Sequence, residues 1–118
     1  MHKQYDLGTL QEIAQGDEAF VQDMLVTFVE NVTEDIEKIQ SLRPMENWKS
    51  IAEIAHRLTS RYAYLNAVSL QALSADIEKS VLEDNNFAGI ADKLDSLSDS
   101  TILLIAQLKN DFEFLCKT

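Results

Sequence analysis

The chain predicts an all-α fold, an antiparallel (up-down-up-down) four-helix bundle with a short additional N-terminal helix. Three observations carry that prediction. Apolar residues recur at three- and four-residue steps along most of the chain, the period of a helix with one buried face, and no segment alternates as a strand would. Only three glycines and one proline punctuate 118 residues, so the elements must be few and long. Hydrophobic residues make up 46%, enough for a real core, at a length that suits one domain over residues 1–118.

The elements follow in order. "LGTLQEIA" makes a short opening helix that Gly16 ends. Asp17 is a plausible N-cap for a long second helix, whose apolar side is Phe20, Met24, Leu25, Phe28, Val32, Ile36 and Ile39. Pro44 closes it, because proline removes a helical hydrogen bond. Asn47 can cap the third helix, with Ile51, Ile54, Ala55, Leu58, Tyr62 and Leu65 on its apolar side. Asn66 tolerates the left-handed conformation and marks a break before a fourth helix carrying Leu70, Leu73, Ile77 and Val81. "EDNN" reads as a polar turn, with Asn86 capping a last helix that runs from Phe87 through Ile90, Leu94, Leu97, Leu104 and Leu108 to Phe112 and Leu115. Short connections between four substantial helices make the antiparallel bundle the economical packing.

Twenty acids against ten bases give a net charge of -10. That balance repels nucleic-acid backbones and anionic membrane surfaces alike, and it suits either plain solubility or a partner with a basic face. Cys116 is the only cysteine, so no internal disulfide can form. "MHKQYDLGTL" has no apolar signal run, and no stretch could span a bilayer. The expectation is a cytoplasmic protein.

One histidine lies inside a helix, in "IAEIAHRLTSRYAYLNA". With Ile51 at zero on a helical wheel, the core of the third helix fills an arc of roughly 100° centred near Leu58. His56 falls roughly 140° from Ile51, outside that arc. Its wheel neighbours Ala52, Thr59, Ser60 and Ala63 are all small. Such a set leaves the imidazole uncovered and leaves room for another protein to approach. An ordinary surface histidine fits the periodicity equally well.

"AHRLTSRYAYLNA" resembles the signature of histidine phosphotransfer (HPt) domains, usually A-H-x-L-K-G-S followed by a short spacer and L-G-A. Ala55, His56, Leu58, Leu65 and Ala67 match, and Asn66 stands where the family has glycine. "NWKSIAEIAH" resembles the family's approach to the site, and "GDEAFVQDMLVTFVENV" resembles its second helix, so the likeness runs along nearly the whole chain. The departures fall beside the histidine. Thr59 stands where the family has lysine, Ser60 where it has glycine and Arg61 where it has serine. Ser60 is still small, whereas Thr59 cannot offset phosphoryl charge. As stand-ins, Arg57 and Arg61 lie roughly 100° and 140° from His56 on the wheel. Lys49 is nearly in line with His56 but about 10 Å along the axis. All three also read as ordinary solvated charges.

The resemblance implies that His56 accepts a phosphoryl group from an aspartyl phosphate on a response-regulator receiver domain and can pass it to another receiver, the partners being a receiver domain, a hybrid sensor histidine kinase or both. Ala52, Thr59, Ser60 and Ala63, with Lys49 and Arg57, would then border the docking or phosphoryl-contacting surface. No cofactor is implied on this chain, and Mg²⁺ would belong to the receiver. The protein would be a monomeric, stoichiometric phosphocarrier and not a turnover enzyme. No P-loop or kinase-like glycine loop is present in the sequence. His2 and His56 are far apart, with no Cys/His cluster to hold zinc. Glu34, Asp35, Asp76 and Glu78 read as solvated helix surface. Tyr62 reads as core, and Tyr64 as a surface tyrosine or the border of a docking face. Two other readings stay open: a docking module with the same bundle that transfers poorly, motivated by Thr59, and a helical self-association protein built on the long last helix.

Overall fold

The computed structural model describes residues 4–117, so His2 lies outside the described residues. Every regular element among them is helical: α1 (Gly8–Ala14), α2 (Glu18–Leu42), α3 (Trp48–Tyr64), α4 (Val68–Leu82), α5 (Ile90–Asp111) and a 3₁₀ turn at Glu113–Lys117. No helix among the described residues is long and apolar enough to cross a membrane.

Local chemistry sets most of the boundaries. Asp17 caps α2 by accepting the Phe20 N–H at 3.1 Å, and Asn47 caps α3 by accepting the Ser50 N–H at 3.4 Å. Asn66 takes φ 50° just past the end of α3, the left-handed turn expected of it. Its amide also donates to the Asp6 carbonyl and the Thr9 hydroxyl, which ties the N-terminal segment to the α3–α4 turn.

The start of α5 differs from the sequence expectation. Asn86 does not cap it. Its side chain accepts the Ala88 N–H in a local turn, and α5 begins at Ile90 after Gly89, which adopts φ 74°. Phe87 therefore lies outside the helix and is 42% exposed instead of joining the core. At the other end the helix stops at Asp111, and Phe112 and Leu115 reach the core from the extended cap and the 3₁₀ turn.

Consecutive long helices pack on one another, most closely α3 on α4, and α2 also touches α5. Between them lie Leu25, Val32 and Ile39, then Ile51, Leu58 and Ile77, and Leu94, Leu104 and Leu108, all buried. Each such side chain withdrawn from water stabilises the fold by about 2 kcal/mol before ordering costs. Tyr62 is the largest fully buried side chain. Its hydroxyl meets the Thr101 hydroxyl at 2.7 Å, and Thr101 in turn donates to the Leu97 carbonyl at 2.7 Å. Thr101 has one hydrogen and gives it to that carbonyl, so Tyr62 is the donor in the pair. Burial, reinforced by the Asp35 carboxylate, pushes the Tyr62 hydroxyl up to about 12.

Candidate functional site

α3 buries Ile51, Ile54, Ala55, Leu58 and Tyr62 and turns a strip of polar residues to solvent. His56 stands on that strip with its side chain 70% exposed. Its Nδ1 lies 2.9 Å from Oε2 of Glu78 on α4. A carboxylate can only accept, so Nδ1 carries the ring proton in the neutral imidazole. Nε2 is then left with its lone pair, on a ring that faces water. One turn along the same seam, Thr59 meets the Ser74 hydroxyl at 2.8 Å.

The residues expected around His56 divide. Ser60 is exposed and Ala63 half-buried, and both stay on the outer side of α3, with Tyr64 at 46% exposure beyond them. Lys49 is exposed two turns towards the helix start. Ala52 is a correction: it is fully buried and cannot meet a partner. Small residues at this flank serve the close approach of α3 to α4, and His56 sits at the edge of that seam instead of in the middle of a bare patch. Thr59 is half-buried in the same seam, its hydroxyl also donating to the Ala55 carbonyl at 3.0 Å.

Arg57 does not turn towards His56. Its guanidinium donates to Asp35 Oδ1 on α2, while Arg61 donates to Oδ2, both at 2.9 Å. Asp35, expected on the solvated face, is only 4% exposed. A buried carboxylate needs such partners, and two cations on two oxygens satisfy it fully. The same arrangement removes both arginines from the ordinary solvated class. Asp76 is likewise engaged, by Lys93 at 2.9 Å.

Glu78 is the neighbour of His56 that the sequence did not announce. It is one of twenty acids, and only the packing of α4 against α3 singles it out. Chemically the site offers one exposed ring nitrogen, oriented from behind by a carboxylate, with a small hydroxyl residue beside it and both arginines of α3 turned away to Asp35. That suits a nucleophile that takes a group from a docked partner.

The Hpt domain family matches residues 23–113, a span that holds α3, α4, α5, most of α2, and His56, Glu78 and Asp35. No curated protein and no solved structure matches the chain. With most of its length matched and a solvent-facing histidine in the matched helix, the chain belongs to the Hpt domain family, the phosphotransfer modules of two-component signalling.

Proposed function

We propose that His56 is the phosphoryl acceptor of a phosphorelay, taking the group from the aspartyl phosphate of a receiver domain and passing it to another receiver. The carrying observation is the geometry of the imidazole: an exposed ring whose Nδ1 is held 2.9 Å from Glu78. In the forward step the Nε2 lone pair attacks phosphorus, an N–P bond forms and the acyl P–O bond breaks. The aspartate leaves as a carboxylate, and the imidazole proton stays on Nδ1 against Glu78. Reversal at a second aspartate regenerates the neutral ring, so the chain carries phosphate stoichiometrically. Mg²⁺ on the receiver would offset the charge on the transferred group.

The order of packing among α2 to α5 supports an antiparallel up-down-up-down bundle, and the chain acts as one domain in the cytoplasm. Partners are the receiver and a hybrid sensor kinase, met by a monomer. The test is incubation with a receiver loaded from acetyl phosphate. Acid-labile, base-stable label should appear on the wild type and be lost in His56→Gln. Label retained by His56→Gln would name a different acceptor.

A second reading is favoured by one observation. Thr59 replaces the family's usual lysine and spends its hydroxyl on Ala55 and Ser74, so this position gives a phosphoryl group no charge and no free donor. A docking module that binds receivers without efficient transfer has this geometry. Measurable receiver binding without label on the wild type decides for it.

A further inference from the structure

One end of the molecule exposes apolar side chains that the core does not use. Met45, in the α2–α3 turn, is 66% exposed, Leu82 at the end of α4 is 50% exposed, and Phe87 in the α4–α5 loop is 42% exposed. Phe87 stacks on Trp48, the first residue of α3, with ring centroids 5.8 Å apart and planes at 27°. Scattered surface hydrophobics need no explanation, but a stacked aromatic pair at the end that also exposes two aliphatic side chains is more than scatter.

The patch continues the His56 site. α3 and α4 meet through His56 with Glu78 and through Thr59 with Ser74, so later residues of α4 lie beside earlier residues of α3. Leu82 is four residues past Glu78, one turn further along the same flank. That step carries it opposite Ala52, one turn short of the α3 start, where Trp48 and Phe87 stack. A partner centred on His56 would reach Leu82 within one more turn of contact and the Trp48–Phe87 stack within two, about 12 Å along α3.

Charge selects the occupant. Arg43 is paired with Asp95, and Lys93 with Asp76. Glu46, Glu83, Asp84 and Asp92 then remain exposed around this end, against the exposed ammonium groups of Lys49 and Lys79. The excess is acidic, in a chain of net charge -10. An anionic membrane or a nucleic acid is repelled by such a rim, whereas a lysine- or arginine-bearing segment with an apolar tip is attracted.

We infer that the Trp48–Phe87 stack and Leu82 form a second docking arm of the phosphoryl-transfer face, which receives a basic, apolar-tipped segment of the same receiver domain that engages His56. The inference rests on His56 being the phosphoryl acceptor. It adds a determinant of partner choice that lies outside the reacting atoms. Apolar contact supplies the affinity, and the acids supply orientation and encounter rate.

Two signals test it. Trp48 is the only tryptophan of the chain, so its emission reports the ridge directly when the added receiver has none. Titration with a tryptophan-free receiver should shift the emission to shorter wavelength, with a midpoint that rises with salt. Emission unmoved at receiver concentrations that saturate labelling overturns the arm. The second signal is the ratio of labelling by the phosphorylated receiver to labelling by phosphoramidate, a small donor that reads the reactivity of His56 alone. Leu82→Asp should lower that ratio about tenfold, and Glu83→Lys with Asp84→Lys about fivefold, by raising the half-saturating receiver concentration. Circular dichroism checks that each variant keeps its helices. Ratios equal to wild type in both variants overturn the proposal, and so does a panel of receivers that never labels a wild type that phosphoramidate does label. A wild type that phosphoramidate cannot label fails in a distinguishable way: it removes the reading of His56, and this inference with it.

Discussion

Glu78 Oε2 holds His56 Nδ1 at 2.9 Å across the α3–α4 seam, so the orientation of the imidazole is set by a residue 22 positions away in sequence. The pairing selects the tautomer with the proton on Nδ1 and points Nε2 outward. Glu78→Ala should therefore slow phosphoramidate labelling of His56 about fivefold to tenfold, the kinetic equivalent of about 1 kcal/mol for one lost hydrogen bond. Glu78→Gln keeps an acceptor oxygen at the same reach and should recover most of the rate. Imidazole ¹⁵N shifts provide the independent check. The alanine variant should lose its bias towards the Nδ1–H tautomer, and an unchanged tautomer ratio would sink the assignment of this role to Glu78.

Asp35 joins α2 to α3 through two arginines, and the three residues should not contribute equally. Asp35 is buried, with its side chain 6% exposed, while the Arg61 and Arg57 side chains are 29% and 49% exposed. Removing the carboxylate strands two guanidinium groups that can still reach water, so Asp35→Ala should cost about 2 kcal/mol and not the larger penalty of a fully buried orphan charge. Arg57→Ala leaves Arg61 on the carboxylate and should cost less than about 1 kcal/mol. Urea denaturation of the variants checks the order. Arg57→Ala should also leave the labelling rate of His56 at the wild-type value. A fall in that rate would mean that the arginine leaves Asp35 to meet the phosphoryl group.

The parts of this molecule legible in its sequence are those governed by local rules. Asp17, Asn47 and Asn66 act where side-chain chemistry predicts, and the core faces of α2, α3 and α4 follow the helical period. Asn86 misleads because an asparagine beside a loop can serve a turn as readily as a helix start, and Gly89 places the start of α5 later. Ala52 misleads for a different reason. Small residues signal either a bare surface or a close helix–helix approach, and a wheel drawn for one helix cannot show where α4 lies. The same blindness hides Glu78, Asp35 and the Thr59–Ser74 contact, since each depends on which residue of another helix stands opposite.

Thr59 shows what that seam implies for restoring the family's usual lysine. Its hydroxyl bonds the Ala55 carbonyl at 3.0 Å and the Ser74 hydroxyl at 2.8 Å, and Ser74 is fully buried. Thr59→Lys gives up both contacts and must carry a long chain out of a half-buried position. It should destabilise the protein by about 1 kcal/mol in urea titrations. The ammonium at the edge of the seam should nevertheless raise receiver-dependent labelling several-fold by offsetting phosphoryl charge. An unchanged rate would show that the receiver supplies enough positive charge by itself.

Tyr62 provides a pH test of the core. Its hydroxyl is pushed up from 10.0 to about 12, chiefly by burial, so the folded chain holds the phenolic proton more tightly than the unfolded chain does. Unfolding then favours release of that proton above pH 10.0, and the contribution to stability, complete below that pH, is lost as pH rises to about 12. Two units correspond to about 2–3 kcal/mol at the limit. Tyr62→Phe should lower stability by about 1 kcal/mol at neutral pH, because the Thr101 hydroxyl keeps Leu97 as a partner and only one hydrogen bond is lost. Lysines and other tyrosines titrate in the same alkaline range, so the informative quantity is the difference between wild type and variant. That difference should shrink above pH 10, change sign at about pH 11 and stay reversed at higher pH, as the wild type alone faces ionisation of a buried phenol. Parallel alkaline denaturation curves would contradict the burial and bonding assigned to this hydroxyl.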